Sequence, residues 1–226
     1  MTIITLDFET YYDPAYSLSK MTTESYIRDP RFEVIGIAVR VDNEPTEWFS
    51  GTHEETRAFL SRYDWANSFA LAHNTMFDGA IMSWRFGIKP KVWLDTLCMA
   101  RALHGVEVGG SLKAVAERYG VGEKGTEVVA AKGKRRADFT DEELARYASY
   151  CVNDVNLTRD VFNIMGEGFP KGELKLIDLT LRMFIDPVLD LDTGLLEMHI
   201  EKIKDWKDQL LIDAKITDKK ELMSNP

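Results

Sequence analysis

The chain opens on an alternating pattern. Between Ile3 and Glu9 (IITLDFE) the side chains trade between apolar and polar, and strand side chains two apart share a face. Leu6 and Phe8 therefore point into one layer, and Asp7 and Glu9 into the opposite one. Short apolar or alternating runs predict strands over residues 3–8, 33–41, 46–49 and 68–72. Helical spacing predicts helices over 54–63, 77–86, 96–103, 111–119 and a long one from 141 to about 165. Thr140 with Glu143 three residues on is a capping box for the long helix, whose apolar stripe is Leu144, Ala148, Cys151, Val155 and Phe162. Early strands followed by alternating helices indicate an α/β domain with a mixed central sheet flanked by helices.

Residues 120–134 (GVGEKGTEVVAAKGK) contain four glycines and read as a loop, and Lys132, Lys134, Arg135 and Arg136 stand at its end. A composition shift at 166–172 marks a domain edge, which divides the chain into 1–167 and a helical extension, 168–226. In the extension, Leu174, Ile177, Leu181, Phe184 and Ile185 mark one amphipathic helix stopped by Pro187. Leu196, Ile200, Ile203, Trp206 and Leu210 mark another, before a polar tail.

Composition narrows the class. With 226 residues, 45% hydrophobic and 11% aromatic, the chain can bury a substantial core and is not disordered. Two cysteines, Cys98 and Cys151, form no CxxC pair, which argues for a reducing compartment such as the cytoplasm and against a structural zinc site. The longest apolar runs are strand-sized, so neither a signal peptide nor a membrane span is expected. A net charge of −9 counts against a nonspecific duplex-DNA binder. It leaves room for an enzyme that grips a few phosphates through bound divalent metal.

The acids at the end of the first strand then need a partner. Two carboxylates ~7 Å apart repel by about 2 kcal/mol at an effective dielectric of ~20. Asp78 lies in a helix that follows a strand end, four residues after Asn74. Tyr150 and Asp154 are also four apart, on one face of the long helix. No lysine or arginine lies close to these within its own segment. Four acids and a tyrosine on one α/β domain suit hard cations, Mg²⁺ or Mn²⁺, and two such ions ~3.5–4 Å apart serve in-line displacement at phosphorus. The expected counter-charge is metal.

LDFET, HNTMFD and YCVND, in that order, resemble the three motifs of the DEDD superfamily of 3′–5′ exonucleases, over about residues 1–165. Within it, a tyrosine four residues before the last Asp (Tyr150), with Ser149 where another subfamily has histidine, is similar to the tyrosine subfamily. The resemblance implies a ribonuclease-H-like fold and two ions. Asp7, Glu9 and Asp154 would hold the ion on the water side. Asp7 would be shared with the second ion, which Asp78 reaches directly or through water. Tyr150 would orient the nucleophile, and Thr10 and Asn74 would touch the terminal nucleotide or its backbone.

LDFETYYD, DTLCMARAL with SLKAVAERYGV, the GEKG loop and LRMFIDPVLDLD look like the proofreading domain of bacteriophage family A DNA polymerases. That likeness implies a monomeric exodeoxyribonuclease acting on a single-stranded DNA 3′ end, with a polymerase region in cis or trans, in a host cytoplasm. The chain would then be an N-terminal fragment or a separate subunit. Two alternatives stay open: a free-standing 3′–5′ exoribonuclease, and a catalytically silent DNA-binding module of a polymerase. Lys132, Lys134, Arg135 and Arg136 would either hold strand phosphates or simply solubilise a loop. His73 reads as a strand-end packing residue, Asp95 as the cap of the next helix, and Phe77 as core.

Overall fold

The computed structural model describes residues 2–125 and 131–216; residues 126–130 of the glycine-rich loop and 217–226 of the polar tail lie outside the described residues. The chain forms two compact units, Met1–Pro187 and Val188–Pro226. The first contains a five-stranded sheet. Its strands are β1 (Ile3–Thr10), β2 (Val34–Val41), β3 (Glu47–Phe49), β4 (Phe69–Ala72) and β5 (Val92–Asp95), in the order β3-β2-β1-β4-β5. β1 runs antiparallel to β2, and β2 to β3, while β1–β4 and β4–β5 are parallel. The expected mixed sheet is present. It is ribonuclease-H-like in order and direction.

Around it stand α1 (Thr23–Arg28), α2 (His53–Leu60), α3 (Thr75–Phe86), α4 (Thr96–His104), α5 (Leu112–Tyr119), α6 (Asp141–Gly166) and α7 (Lys171–Ile185). Ile4, Leu6 and Phe8 join Ile37, Val39, Ala70, Ile81, Met82 and Trp93 in the larger core. The opposite face of β1–β2 is covered by α6, where Ala38 meets Cys151 and Val155, and Ile35 meets Tyr147 and Tyr150. The Thr140–Glu143 capping box fixes the start of α6. In the second unit, α8 (Thr193–Asp213) begins at Asp192, whose side chain accepts from the Leu195 amide.

Two elements were not expected from the pattern. β5 has four residues with three of them buried, too short and too uniformly inward to show alternation. α1 has six residues, fewer than two turns, and exists because Tyr26 and Ile27 are packed into the main core.

One gap in the sheet matters for everything that follows. β1 pairs with β4 over Ile3–Thr5 against Phe69–Leu71 and then parts from it. Beyond that point the β4-side donors of β1 need other partners. Asp78, in the first turn of α3, reaches into the gap and accepts the Phe8 amide at 3.0 Å. The chain arrives there through Asn74, held in a left-handed conformation (φ 71°), a state asparagine tolerates better than most residues.

The first compact unit runs past the edge expected at 166–172 and takes in α7. That region is a helix break, with α6 ending at Gly166 and α7 starting at Lys171, but the first compact unit continues to Pro187. The reason is burial: Leu181 and Ile185 are inside the same core as β1 and α3. Gly79 permits the approach, since a Cβ there would lie 2.5 Å from Ile185 Cδ1. Asp178 accepts the Trp93 amide of β5 at 2.7 Å, and the Trp84 indole donates to Ile185 O at 2.8 Å. The helix thus closes the β5 edge of the sheet. Replacing Ile185 by alanine should cost about 2–5 kcal/mol of the first unit's stability, read from urea unfolding. A change under about 0.5 kcal/mol, the size usual for exposed positions, would return the boundary to 167.

Candidate active site

β1 presents Asp7 and Glu9 on the face that α6 covers. Opposite them on β2 are Ala38 and Gly36, the smallest residues available, and the Trp48 ring fills the space where a Gly36 side chain would stand. From α6, Tyr147, Tyr150, Cys151 and Asp154 recur at helical spacing and face the sheet. From α3 comes Asp78. Glu9 is 7% exposed, and Asp78 and Asp154 are 3% each. Acids this buried are rarely left without compensation.

The tightest set of potential ligand atoms is a carboxylate oxygen of Asp7, one of Glu9 and Cys151 Sγ, all within 4.8 Å of one another. Asp154 and Asp78 flank it: the Asp154 charge acts on Asp7, and that of Asp7 on Asp78. Cys151 is not read as a ligand. Burial, with Asp7 and Glu9 beside it, pushes its thiol well above the ordinary value, so the S–H stays on and donates towards Asp7 O (3.4 Å) and Oδ2 (3.5 Å). The Tyr147 hydroxyl donates to Glu9 Oε2 at 2.5 Å.

The carboxyls feel their crowding. Burial first, then the charge of Asp154, push Asp7 up to about 7, against the opposing pull of Lys124. Glu9 is raised by burial and by Asp7, and Asp78 by burial and by Asp7. Tyr150 is raised by burial, then by Asp154 and Glu9, so its phenol is fully protonated at neutral pH. Three hard carboxylate donors around a shared Asp7, held dry and reluctant to ionise, fit a divalent cation; they fit an apolar core poorly.

The counter-charge expected from sequence was metal alone, and this is corrected in part. Lys124, from the segment after α5, forms an ion pair with Asp154 Oδ2 and stands 5.0 Å from the centroid of the Tyr150 ring. Sequence reading missed it because the two residues are thirty apart and come from different elements. Tyr147 was missed despite a visible signal: it precedes Asp154 by seven residues, two turns along the same face.

The remaining candidates are placed as follows. The Thr10 hydroxyl bonds the Tyr26 hydroxyl at 2.8 Å. The Asn74 amide donates to Asp95 Oδ1 at 3.1 Å, and the same oxygen accepts from Leu97 N, capping α4 as expected. His73 contacts Thr96 Oγ1 and Gly110 O, 2.8 Å each, so both its nitrogens are spent on packing elements together. Phe77 is packed against the main core. In the basic stretch, Lys134 pairs with Glu143 and Arg135 with Glu33, Arg135 also lying over the Tyr11 ring at 4.1 Å. The Arg136 amide donates to Glu33 Oε1 at 2.9 Å, and Lys132 is exposed.

No protein-family model and no curated protein matches the chain, but solved structures do. Brucella melitensis NrnC with bound Mg²⁺ is similar with a TM-score of 0.57 at 12% identity, over 81% of this chain and 81% of that one. Trypanosoma brucei RNase D in complex with RNA U12 gives 0.58 at 13%, over 84% and 66%. The catalytic core of Trypanosoma brucei RRP6 gives 0.52 at 13%, over 81% and 43%. The chain has the fold of DEDD-type 3′–5′ exonucleases. Among the described residues no helix is long and apolar enough to cross a membrane.

The crowded acids make stability depend on pH in a defined direction. Asp7 ionises near 3.8 in a model chain and about 7 in the fold, so between these values the folded state binds the extra proton. Stability then falls as pH rises through that window and is flat above it. A divalent ion bound by the ionised site offsets the loss. The melting temperature of metal-free protein should fall from pH 5 to pH 8, and Mn²⁺ should raise it more at pH 8. Equal Mn²⁺ shifts at both values would remove Asp7 from the ion site.

Proposed function

We propose that this chain is a two-metal-ion 3′–5′ exonuclease that removes nucleotides from a single-stranded 3′ end. The observation that carries the reading is the convergence of Glu9, Asp78 and Asp154, from three elements of this fold, around Asp7, with a protonated tyrosine beside them. Asp7, Glu9 and Asp154 would hold one Mg²⁺ or Mn²⁺, and Asp7 with Asp78 the other. The ions supply charge for the scissile phosphate and the leaving oxygen, and make the attacking water more acidic.

The protein's own groups do the positioning. Tyr150, raised far above neutrality, is no base; its O–H fixes the orientation of the incoming water by hydrogen bonding. Tyr147 holds one Glu9 oxygen, leaving the other to face the ion. Asp78 keeps its Oδ1 on the Phe8 amide, so Oδ2 is the oxygen it would offer the second ion. Thr10, the last residue of β1, and Asn74, at the N-cap of α3, are the residues that the resemblance assigns to the terminal nucleotide. Lys132 and Arg136, on the segment before α6, would offer charge to the strand, while Lys134 and Arg135 are engaged with glutamates.

As substrate we favour DNA and a proofreading role with a polymerase region, on the resemblance of LDFETYYD, the GEKG loop and the LRMFIDPVLDLD segment. In that reading 168–226 leads towards the polymerase. A second reading, exoribonuclease, is favoured by the neighbours: RNase D is seen with RNA U12, and NrnC also with pGG. Paired 5′-labelled single strands of one sequence, DNA and RNA, separate the two.

With Mg²⁺ or Mn²⁺ the wild type should shorten the DNA strand stepwise from its 3′ end. Asp7→Ala should abolish this, and Tyr150→Phe should slow it by roughly one to three orders of magnitude. A folded wild type that leaves both strands intact would mean a silent module. Faster loss of the RNA strand would favour the exoribonuclease.

A further inference from the structure

The segment carrying Lys124 is seated on α6 by three successive contacts. At Gly122 (φ 145°) a Cβ would lie 2.9 Å from Leu157 Cδ2, so this close approach needs glycine. Asn153 Nδ2 donates to Glu123 O at 3.0 Å. Lys124 then pairs with Asp154, the two side chains being 27% and 5% exposed. Asn153, Asp154 and Leu157 are neighbours on one stretch of helix, so the segment is latched along it rather than touching it at a point. Among the described residues no ion pair reaches Asp7, Glu9 or Asp78, while the Lys124 charge acts on Asp7 and Glu9 as well as on Asp154. The Lys124 ammonium serves the cluster.

We propose that Lys124 is a tethered counter-ion that holds Asp154 until a divalent ion takes that carboxylate, so that metal loading and release of residues 122–124 from α6 are one event. This rests on the two-metal reading above. A carboxylate oxygen closed by an ammonium is not available to a second cation, and an ion bound there repels the ammonium it replaces. In exchange the lysine leaves the Tyr150 ring, over which its charge now lies, and the phenol that orients water is uncovered. The same exchange opens the cleft of about 280 Å³ that Glu123 and Gly125 form with Arg146, Ser149, Tyr150 and Asn153. Lys124 is thus a positioning residue of the metal-free state, and metal entry is what removes it.

The test is Mn²⁺ titration by calorimetry on the full chain without nucleic acid, comparing wild type with Lys124→Met, which keeps the apolar stem and removes the charge. The variant should bind Mn²⁺ about tenfold more tightly. In the wild type, amide hydrogen exchange over 121–125 should accelerate when Mn²⁺ is added, a readout that does not depend on the variant folding well. Equal or weaker binding by Lys124→Met, or exchange in the wild type that Mn²⁺ leaves unchanged or slows, overturns the counter-ion role alone. Absence of Mn²⁺ binding to either protein overturns the two-metal reading and this inference with it.

Discussion

The fold is arranged around one expensive act, the crowding of four carboxylates, three of them buried, beside the Lys124 ammonium. Desolvating an ionised carboxylate costs several kcal/mol even after relaxation, and placing a second one within a few ångströms adds repulsion that a low-dielectric interior does little to screen. The protein spreads that cost over several devices. Asp78 is anchored on the Phe8 amide at the positive end of α3. Glu9 receives the Tyr147 hydroxyl, Asp7 the Cys151 thiol and Asp154 the Lys124 ammonium. What these leave over appears as carboxyls that hold their protons towards neutrality.

That constraint explains architectural choices that look unrelated. β1 has to part from β4 after Thr5, because an intact ladder would leave no donor for Asp78. β2 has to be small opposite the acids, hence Gly36 and Ala38. α6 has to be long and rigidly capped, since four of its side chains must arrive on the sheet in register. α7 has to close the far side, because α3, which delivers Asp78, is held between the sheet and Ile185. A domain ending at 167 would leave the helix that carries one of the four acids exposed on its outer face.

The parts legible in the sequence are those whose signal is local. The alternation in β1 gives the shared face of Asp7 and Glu9, and the capping box with its 3.6-residue stripe gives α6 and the shared face of Tyr150 and Asp154. A mixed α/β sheet follows from the order of such segments. What was not legible depends on distant partners. β5 and α1 are too short to carry periodicity, and are held by Asp178 and by the main core instead. The edge at 166–172 is a true helix break; whether it is also a domain edge depends on Gly79 and Ile185, which are far apart in the chain. Lys124 sits in a glycine-rich stretch whose composition says loop and nothing about which acid it meets. The basic run 132–136 shows the reverse case: as sequence it is four cationic side chains, and in the fold Glu143 and Glu33 pair with two of them.

Hydrogen-bond direction adds a constraint on how a substrate end can be met. The Tyr26 hydroxyl has one proton, and it goes to Tyr11 O at 2.5 Å. In the 2.8 Å contact between Tyr26 and Thr10, the proton therefore belongs to Thr10, whose oxygen is left with lone pairs alone. Towards a substrate end that met it, as the proposed function has it, Thr10 would be an acceptor. It suits a sugar hydroxyl or a base amino group, and it repels a phosphate oxygen. α1, the element least visible in the sequence, thereby sets the chemical character of a residue at the end of the most visible one. Discrimination between ribose and deoxyribose requires a partner for the 2′-hydroxyl, which can donate or accept. On the proposed function, a fixed acceptor at the end of β1 would read a hydroxyl by its proton, whereas the ions held by the four acids would meet the phosphate that both substrate classes share.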